Sequence, residues 1–102
     1  MRDSKLTGVI MDEADLFVVD AIYRAAECRY RSSLLQRVHF LSTACSGSRS
    51  RLYHVRVALD SERGDVRSRH AFIEFRDFDD IEVHFTTYAK ARCRIKNGHA
   101  KK

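Results

Sequence analysis

The spacing of hydrophobic residues changes near residue 50, and this change constrains the fold more than any other feature of the chain. From residue 51 onward, apolar side chains recur at every second position, which is the period of a β-strand with one buried face. Gly64 and the acidic stretch 77–80 supply short turns, so the pattern predicts an antiparallel meander of three strands. The third run is longer than most strands, and we expect it to bend or end near Ala91. The inward positions are Tyr53, Val55, Val57 and Leu59, then Ala71, Ile73 and Phe75, then the odd positions from Ile81 to Ile95.

The first half of the chain has a helical period instead. The stretch "DEADLFVVDAIYRAAECRYR" (residues 12–31) repeats apolar residues at intervals of three and four, and Asp12 is suited to cap a helix that starts here. Residues 34–45, "LLQRVHFLSTAC", fit a second helix better than a strand, although "VHFL" leaves an extended alternative open. Residues 5–11 could form a fourth strand, the first in chain order, or only an extended arm. We therefore predict an α+β fold with two N-terminal helices packed on one face of an antiparallel β-meander of three to four strands.

Length and composition set the bounds on function. The 102 residues suit a single domain, residues 1–102, and 44% hydrophobic residues are enough for a core. The formal net charge of +5 favours an anionic partner. Three widely spaced cysteines without zinc-finger spacing predict neither a disulfide scaffold nor a metal site, and we expect no cofactor. Since no apolar stretch reaches the ~18 residues of a membrane span, we expect a soluble cytoplasmic protein.

The alternating pattern leaves a second face of the meander that is basic and aromatic. Three interpretations apply to it: a solvated surface, a platform on which RNA phosphates meet cations and bases stack on exposed rings, or a site of RNA cleavage without a metal. Cleavage needs a base for the 2′-hydroxyl proton, cations for the phosphate and an acid for the leaving oxygen. The face carries residue types for each role: His54, Arg56, His70, Phe72, Glu74, His84, Tyr88, Lys90 and Arg92.

Three strings on these strands resemble the RelE/ParE toxin superfamily, and its HigB-like branch most closely. They are "LYHVRV" (52–57), "RGDVRSRHAFIEF" (63–75) and "IEVHFTTYAKARCR" (81–94), so the resemblance covers roughly the C-terminal half. It implies a ribosome-dependent mRNA endonuclease that an antitoxin protein holds inactive. It further implies that Arg56, Arg67 and Lys90 are catalytic or phosphate-facing cations and that Tyr88 stacks on or orients the substrate. His54 stands where the family often has a lysine, which would change the base.

We therefore predict a RelE-like mRNA endoribonuclease toxin that acts without a metal. Its predicted partners are RNA or the ribosome and a cognate antitoxin, and the sequence leaves a homo-oligomer open. Arg67 shares the parity of the inward residues, so this site requires a β-bulge that turns its side chain outward. The alternative is a non-enzymatic basic binding protein, either an RNA-binding module or a phage-type inhibitor of a nucleic-acid-handling complex. The predicted catalytic residues are Lys90, Arg67, His54 and Tyr88, and the predicted nucleic-acid-binding residues are Arg56, His70, Phe72, His84 and Arg92.

Overall fold

The computed structural model of the protein describes residues 6–7, 12–30, 35–47, 50–60 and 64–100. They form one sheet and two helices, so the predicted α+β class is confirmed. The elements in chain order are β1 (Leu6–Thr7), α1 (Glu13–Tyr30), β2 (Leu35–Ser46), β3 (Ser50–Asp60), β4 (Val66–Asp77), β5 (Asp80–Thr86) and α2 (Tyr88–Ala100).

The sheet has its strands in sequence order, β1-β2-β3-β4-β5. Strands β2 to β5 are antiparallel neighbours, and β1 pairs with β2 in parallel. The predicted meander is therefore confirmed and extended by one long strand. The predicted placement of the helices is wrong, because α1 precedes the four antiparallel strands and α2 follows them.

Residues 35–46 form strand β2, so the predicted second helix is wrong and the extended alternative is right. Val38 and Phe40 are buried two residues apart, as in any half-buried strand. The register then shifts between Phe40 and Ser42, which leaves Leu41 unpaired in a β-bulge. Just before the bulge the even-numbered residues of β2 lie on the face that α1 covers, and after it the odd-numbered residues do. Apolar residues on the two sides of Leu41 are therefore spaced as in a helix.

Helix α1 begins with the cap that the sequence predicts. The Asp15 backbone N–H donates to Asp12 Oδ1 at 2.8 Å, and the Asp12 N–H donates to Asp15 Oδ2 at 3.3 Å. These reciprocal bonds satisfy donors that a helix N-terminus otherwise leaves unpaired. Asp15 is buried and also accepts a 2.8 Å bond from the Tyr53 hydroxyl, so the cap fastens α1 to strand β3.

The odd-numbered face of β3, β4 and β5 packs against α1, as the alternation predicts. Apolar side chains from the helix and the strands form one continuous cluster there, and burial of this surface is the main stabilising contribution to the fold. The cluster contains Val18, Val19, Ile22, Ala26, Val38, Phe40, Tyr53, Val55, Val57, Leu59, Ala71 and Ile73.

The third predicted strand ends at Thr86, and residues 88–100 form helix α2. Thr87 starts the helix, because its side-chain oxygen accepts the Lys90 backbone N–H at 3.2 Å. Ala91 and Ile95 are buried against the second face of the sheet, with Ala44, Leu52 and Phe72 beneath them. A spacing of four residues satisfies both a helix and an alternating strand, so these two residues fitted either structure.

Gly98 lets α2 approach the sheet closely. A Cβ atom at this position would lie 2.5 Å from Leu52 Cδ1, so any larger residue would require the buried Leu52 side chain to move. Neither helix in the described part of the chain is long and apolar enough to span a bilayer.

Candidate functional site

The second face of the sheet arranges its side chains in rows that run across the strands. One row joins His39, Arg56 and His70, which are Cα partners on β2, β3 and β4. The adjacent row joins His54, Phe72 and His84 on β3, β4 and β5. His54 and Phe72 of the second row are buried beside helix α2, whereas His84 and much of the first row are exposed.

Two histidines and a tyrosine meet where these rows pass the start of α2. His54 Nε2 lies 2.9 Å from His70 Nδ1, within hydrogen-bond distance. The Tyr88 ring closes the group, with its centroid 5.5 Å from that of His54 and 5.2 Å from that of His70. His54 is only 2% exposed, whereas Tyr88 is 49% exposed. We call His54, His70 and Tyr88 the histidine cluster.

The environment of the histidine cluster favours neutral rings at pH 7. Burial, and then the neighbouring His70, lower the pKa of His54 below its usual value of ~6.5. Burial, and then the Arg56 guanidinium, lower the pKa of His70 in the same direction. When both rings are neutral, one of these two nitrogens donates its N–H to the other across the 2.9 Å contact. If His70 donates it from Nδ1, the lone pair of His70 Nε2 is left to act as a base.

A basic strip lies beside the histidine cluster on the open part of the face. It consists of Arg37, His39 and Arg56, which line an open cavity of about 230 Å³. Arg56 Nη2 lies 3.2 Å from His39 Nδ1, and Arg56 is the Cα partner of His70. The strip therefore places cations within reach of any phosphate that contacts His70.

Helix α2 contributes further positive charge at the same place. Its first turn begins at Tyr88. Thr87 already accepts the Lys90 N–H, but the N–H groups of Tyr88 and Ala89 precede the first intrahelical acceptor. With the helix dipole, these groups favour an anion near the histidine cluster. Arg92 is exposed one turn after Tyr88, so both residues lie on the same side of the helix.

The structure moves Tyr88, Lys90 and Arg92 from the predicted strand to helix α2, and it buries Phe72. The alternation predicts Phe72 to be an exposed ring for stacking, but it is 2% exposed beneath α2, with Arg94 Cζ 4.4 Å from its ring centroid. His84 stays accessible, and its Nε2 lies 3.1 Å from Glu82 Oε1. Lys90 lies on α2 instead of on a strand, and it lines a cavity together with Phe72 and His84.

Arg67 does not join the site. Strands β3 and β4 pair without a register shift from Arg51↔Phe75 to Asp60↔Val66, so the expected bulge is not formed. Arg67 pairs with Leu59 and therefore lies on the face that α1 covers, opposite to the histidine cluster. The odd position of Arg67 in the alternation therefore predicted its face correctly.

Sequence reasoning missed Arg37, His39 and Arg94. The first two belong to residues 34–45, and the helical interpretation of that segment hid their alternation with Val38. The alternation puts Arg94 on the polar face of the third predicted strand, but it lies on α2 and stacks over Phe72. The basic and aromatic character of "RVHF" (37–40) could have indicated a strand with a polar face.

Among the described residues, no group of three or more His, Cys, Asp or Glu side chains could hold a metal ion. Comparison with known proteins finds no matching family model, no matching curated protein and no matching solved structure. The resemblance to the RelE/ParE superfamily thus stays a prediction. Its first string lies on β3, residues 66–75 of the second lie on β4, and the third is divided between β5 and α2.

Proposed function

We propose that this protein is an endoribonuclease that cleaves single-stranded RNA at the histidine cluster without a metal. The observation that carries the proposal is the contact between buried His54 and partly exposed His70, with an exposed tyrosine over it. A binding surface needs no buried histidine behind an exposed one. A general base does benefit from such an arrangement, because the buried partner sets the orientation and tautomer of the exposed ring.

In the proposed reaction, His70 Nε2 takes the proton of a ribose 2′-hydroxyl. The 2′-oxygen attacks the adjacent phosphorus, and the bond from phosphorus to the 5′-oxygen breaks. The Tyr88 hydroxyl protonates that leaving oxygen, and the imidazolium of His70 then returns a proton to Tyr88 through solvent. The products are a 2′,3′-cyclic phosphate and a 5′-hydroxyl, so protons and bonds balance without a metal.

The cations around the histidine cluster hold the charge that develops on the phosphate. Arg56 is the Cα partner of His70, and the positive end of the α2 dipole is at Tyr88, which contacts both histidines. Arg37 and Arg92 extend the positive surface in two directions, which suits the backbone of a single strand.

The resemblance to the RelE/ParE superfamily extends this proposal to a cellular role. The substrate would be mRNA on the ribosome, and an antitoxin would block the open face. Expression of the intact chain in a bacterium without the antitoxin should then stop growth, and His70→Ala should abolish the effect. Normal growth of cells that contain as much wild-type protein as the His70→Ala cells contain variant would exclude the toxin role.

The second candidate is RNA binding without cleavage. It is favoured by the position of Arg67, which was expected to stabilise the reacting phosphate but lies on the opposite face. The basic strip and the exposed ring of Tyr88 suffice for binding. On this view, the histidine contact would only stabilise the fold.

The decisive experiment incubates purified protein with a fluorescent single-stranded RNA in the presence of EDTA. We expect products ending in 2′,3′-cyclic phosphate, and a loss of at least ~100-fold in cleavage rate for His70→Ala, as for removal of a general base. Arg56→Ala should also slow cleavage. Arg67→Ala is its matched control, an exposed arginine on the opposite face, and should have much less effect.

An RNA with 2′-deoxy sugars separates the two candidates. It should bind but resist cleavage, since it lacks the attacking hydroxyl. Wild-type protein that binds ordinary RNA with a steep salt dependence but never cleaves it would favour the second candidate. Cleavage that survives His70→Ala would show that the catalytic site lies elsewhere.

A further inference from the structure

A second cavity lies on the other flank of α2, between this helix and strands β4 and β5. It is open and measures about 340 Å³, within the range of small-molecule sites, ~300–1,000 Å³. Its lining combines aromatic rings from the sheet, Phe72 and His84, with two cations from the helix, Lys90 and Arg94. This combination suits a ligand that is planar at one end and anionic at the other.

The ring surfaces of this cavity are held in place. His84 and Phe72 are nearly parallel, with an interplanar angle of 28° and centroids 6.4 Å apart. Arg94 Cζ lies 4.4 Å from the Phe72 centroid, so Arg94 already occupies one face of the buried ring. The side chain of His84 is 49% exposed and is oriented by Glu82. His84 and the guanidinium of Arg94 therefore offer flat surfaces on which a base can stack.

The charge of the cavity is positive in spite of nearby carboxylates. Arg76 forms ion pairs with Glu74, Asp80 and Glu82, which neutralises part of the acidic group at this end of the sheet. Among the ion pairs between described residues, none involves Lys90 or Arg94. These two cations are four residues apart on one side of α2 and can contact a phosphate group together.

The cavity adjoins the histidine cluster. Phe72 is the Cα partner of His54, and adjacent strands are ~5 Å apart. Lys90 follows Tyr88 by two residues at the start of the same helix. A chain that crosses the first turn of α2 can therefore contact His70 on one side and this cavity on the other.

We propose that the cavity is a nucleobase subsite, in which one unpaired base of the RNA stacks against His84 while its phosphate contacts Lys90 and Arg94. The inference rests on the proposed function, because it assigns the nucleotide next to the cleaved bond. A base must leave its helix to enter, so the subsite selects single-stranded RNA over duplex.

The test is an NMR titration of isotope-labelled protein with adenosine 5′-monophosphate and, separately, with ribose 5-phosphate. Both probes carry the phosphate, but only the first carries a base. We expect the nucleotide to bind more tightly and to shift signals of His84, Lys90 and Cys93. His84→Ala should weaken nucleotide binding about tenfold, within the range for loss of one stacked base. His84→Phe, which keeps a ring, should retain most of the affinity.

Equal affinity for the two probes, or unchanged nucleotide binding in His84→Ala, would overturn the subsite. Neither probe contains a bond that the enzyme could cleave, so this result does not depend on catalysis. Cleavage of RNA without base-dependent binding would remove the subsite alone. Nucleotide binding without any RNA cleavage would overturn the proposed ribonuclease activity but would still support the nucleobase subsite.

Discussion

The two faces of the sheet are made by the same strands, yet α1 and α2 bury very different amounts of apolar surface on them. Helix α1 lies on an apolar surface that extends over β2, β3 and β4, and its one buried acid, Asp15, is paired with Tyr53. Helix α2 buries a much smaller cluster, centred on Leu52 and Phe72. Beside that cluster the strands present histidines and arginines instead of apolar residues.

This difference shows how a small domain combines stability with a polar site. One face carries most of the apolar burial, and the driving force for folding scales with that area. The other face needs only enough apolar contact to hold a short helix. The uncovered remainder can then bear charges and partly buried histidines, which would be costly within the α1 cluster.

The largest expected effect is on the free energy of unfolding, and it should differ between the apolar cluster under α1 and the one under α2. Ile22→Ala on α1 removes a fully buried side chain, and we expect a loss of about 3–4 kcal/mol in the free energy of unfolding. Ile95→Ala on α2 removes the same side chain from the smaller cluster, where we expect about 2 kcal/mol. Urea denaturation of both variants measures the difference. Equal losses would mean that the two faces contribute alike.

A smaller effect is expected where the cap of α1 is fastened to β3. Burial raises the pKa of Tyr53, so its hydroxyl stays protonated and donates to Asp15 at 2.8 Å. Tyr53→Phe should lower the free energy of unfolding by about 1–2 kcal/mol, because a buried carboxylate loses a donor. Thermal unfolding checks this value. A variant as stable as the wild type would show that Arg51 and the backbone already satisfy Asp15.

The smallest expected effect is the response of the α2 face to acid. The pKa values of His54 and His70 are lowered in the folded state, so from pH ~6.5 downward the unfolded chain binds protons first and stability falls. The loss stops below the folded pKa values. Unfolding by urea at pH 7.5 and 5.5 should show it, and His54→Phe should reduce it. His39, Arg56 and Tyr88 face the pair and remain in the variant.

The lowered pKa of His70 also determines how the proposed cleavage depends on pH. His70 must be neutral to act as a base, so the rate should rise with pH through a pKa that burial and Arg56 lower below the usual ~6.5, and should then level off. Initial rates between pH 4.5 and 7.5 measure this limb. A rise centred well above pH 6.5 would indicate a different base.

Part of the candidate site follows from the sequence because strand parity is a local property. His54, Arg56 and His70 were placed on one face by alternation alone, and the pairing of β3 with β4 bears this out. The alternation also placed Arg67 on the other face. Only the resemblance to a toxin family required a bulge there, and the bulge is not formed.

Other parts could not be predicted, because the pattern of one segment fits two structures. Because of the bulge at Leu41, the apolar spacing of β2 resembles that of a helix. The four-residue spacing of Ala91 and Ile95 on α2 also fits an alternating strand. Which one forms depends on contacts with distant residues. The fit of Gly98 over Leu52 is one of these contacts, and no local pattern reports it.

The amino-acid sequence by itself determined the cap at Asp12, the helix that follows it, and the face of each residue on β3, β4 and β5. These features depend on near neighbours along the chain, through hydrogen bonds and backbone periodicity. Tertiary structure alone decided that α2 closes over Phe72, that Tyr88 meets His54 and His70, and that Lys90 and His84 share a cavity. These contacts join residues whose proximity arises only once a helix and a sheet have buried their apolar surfaces against each other.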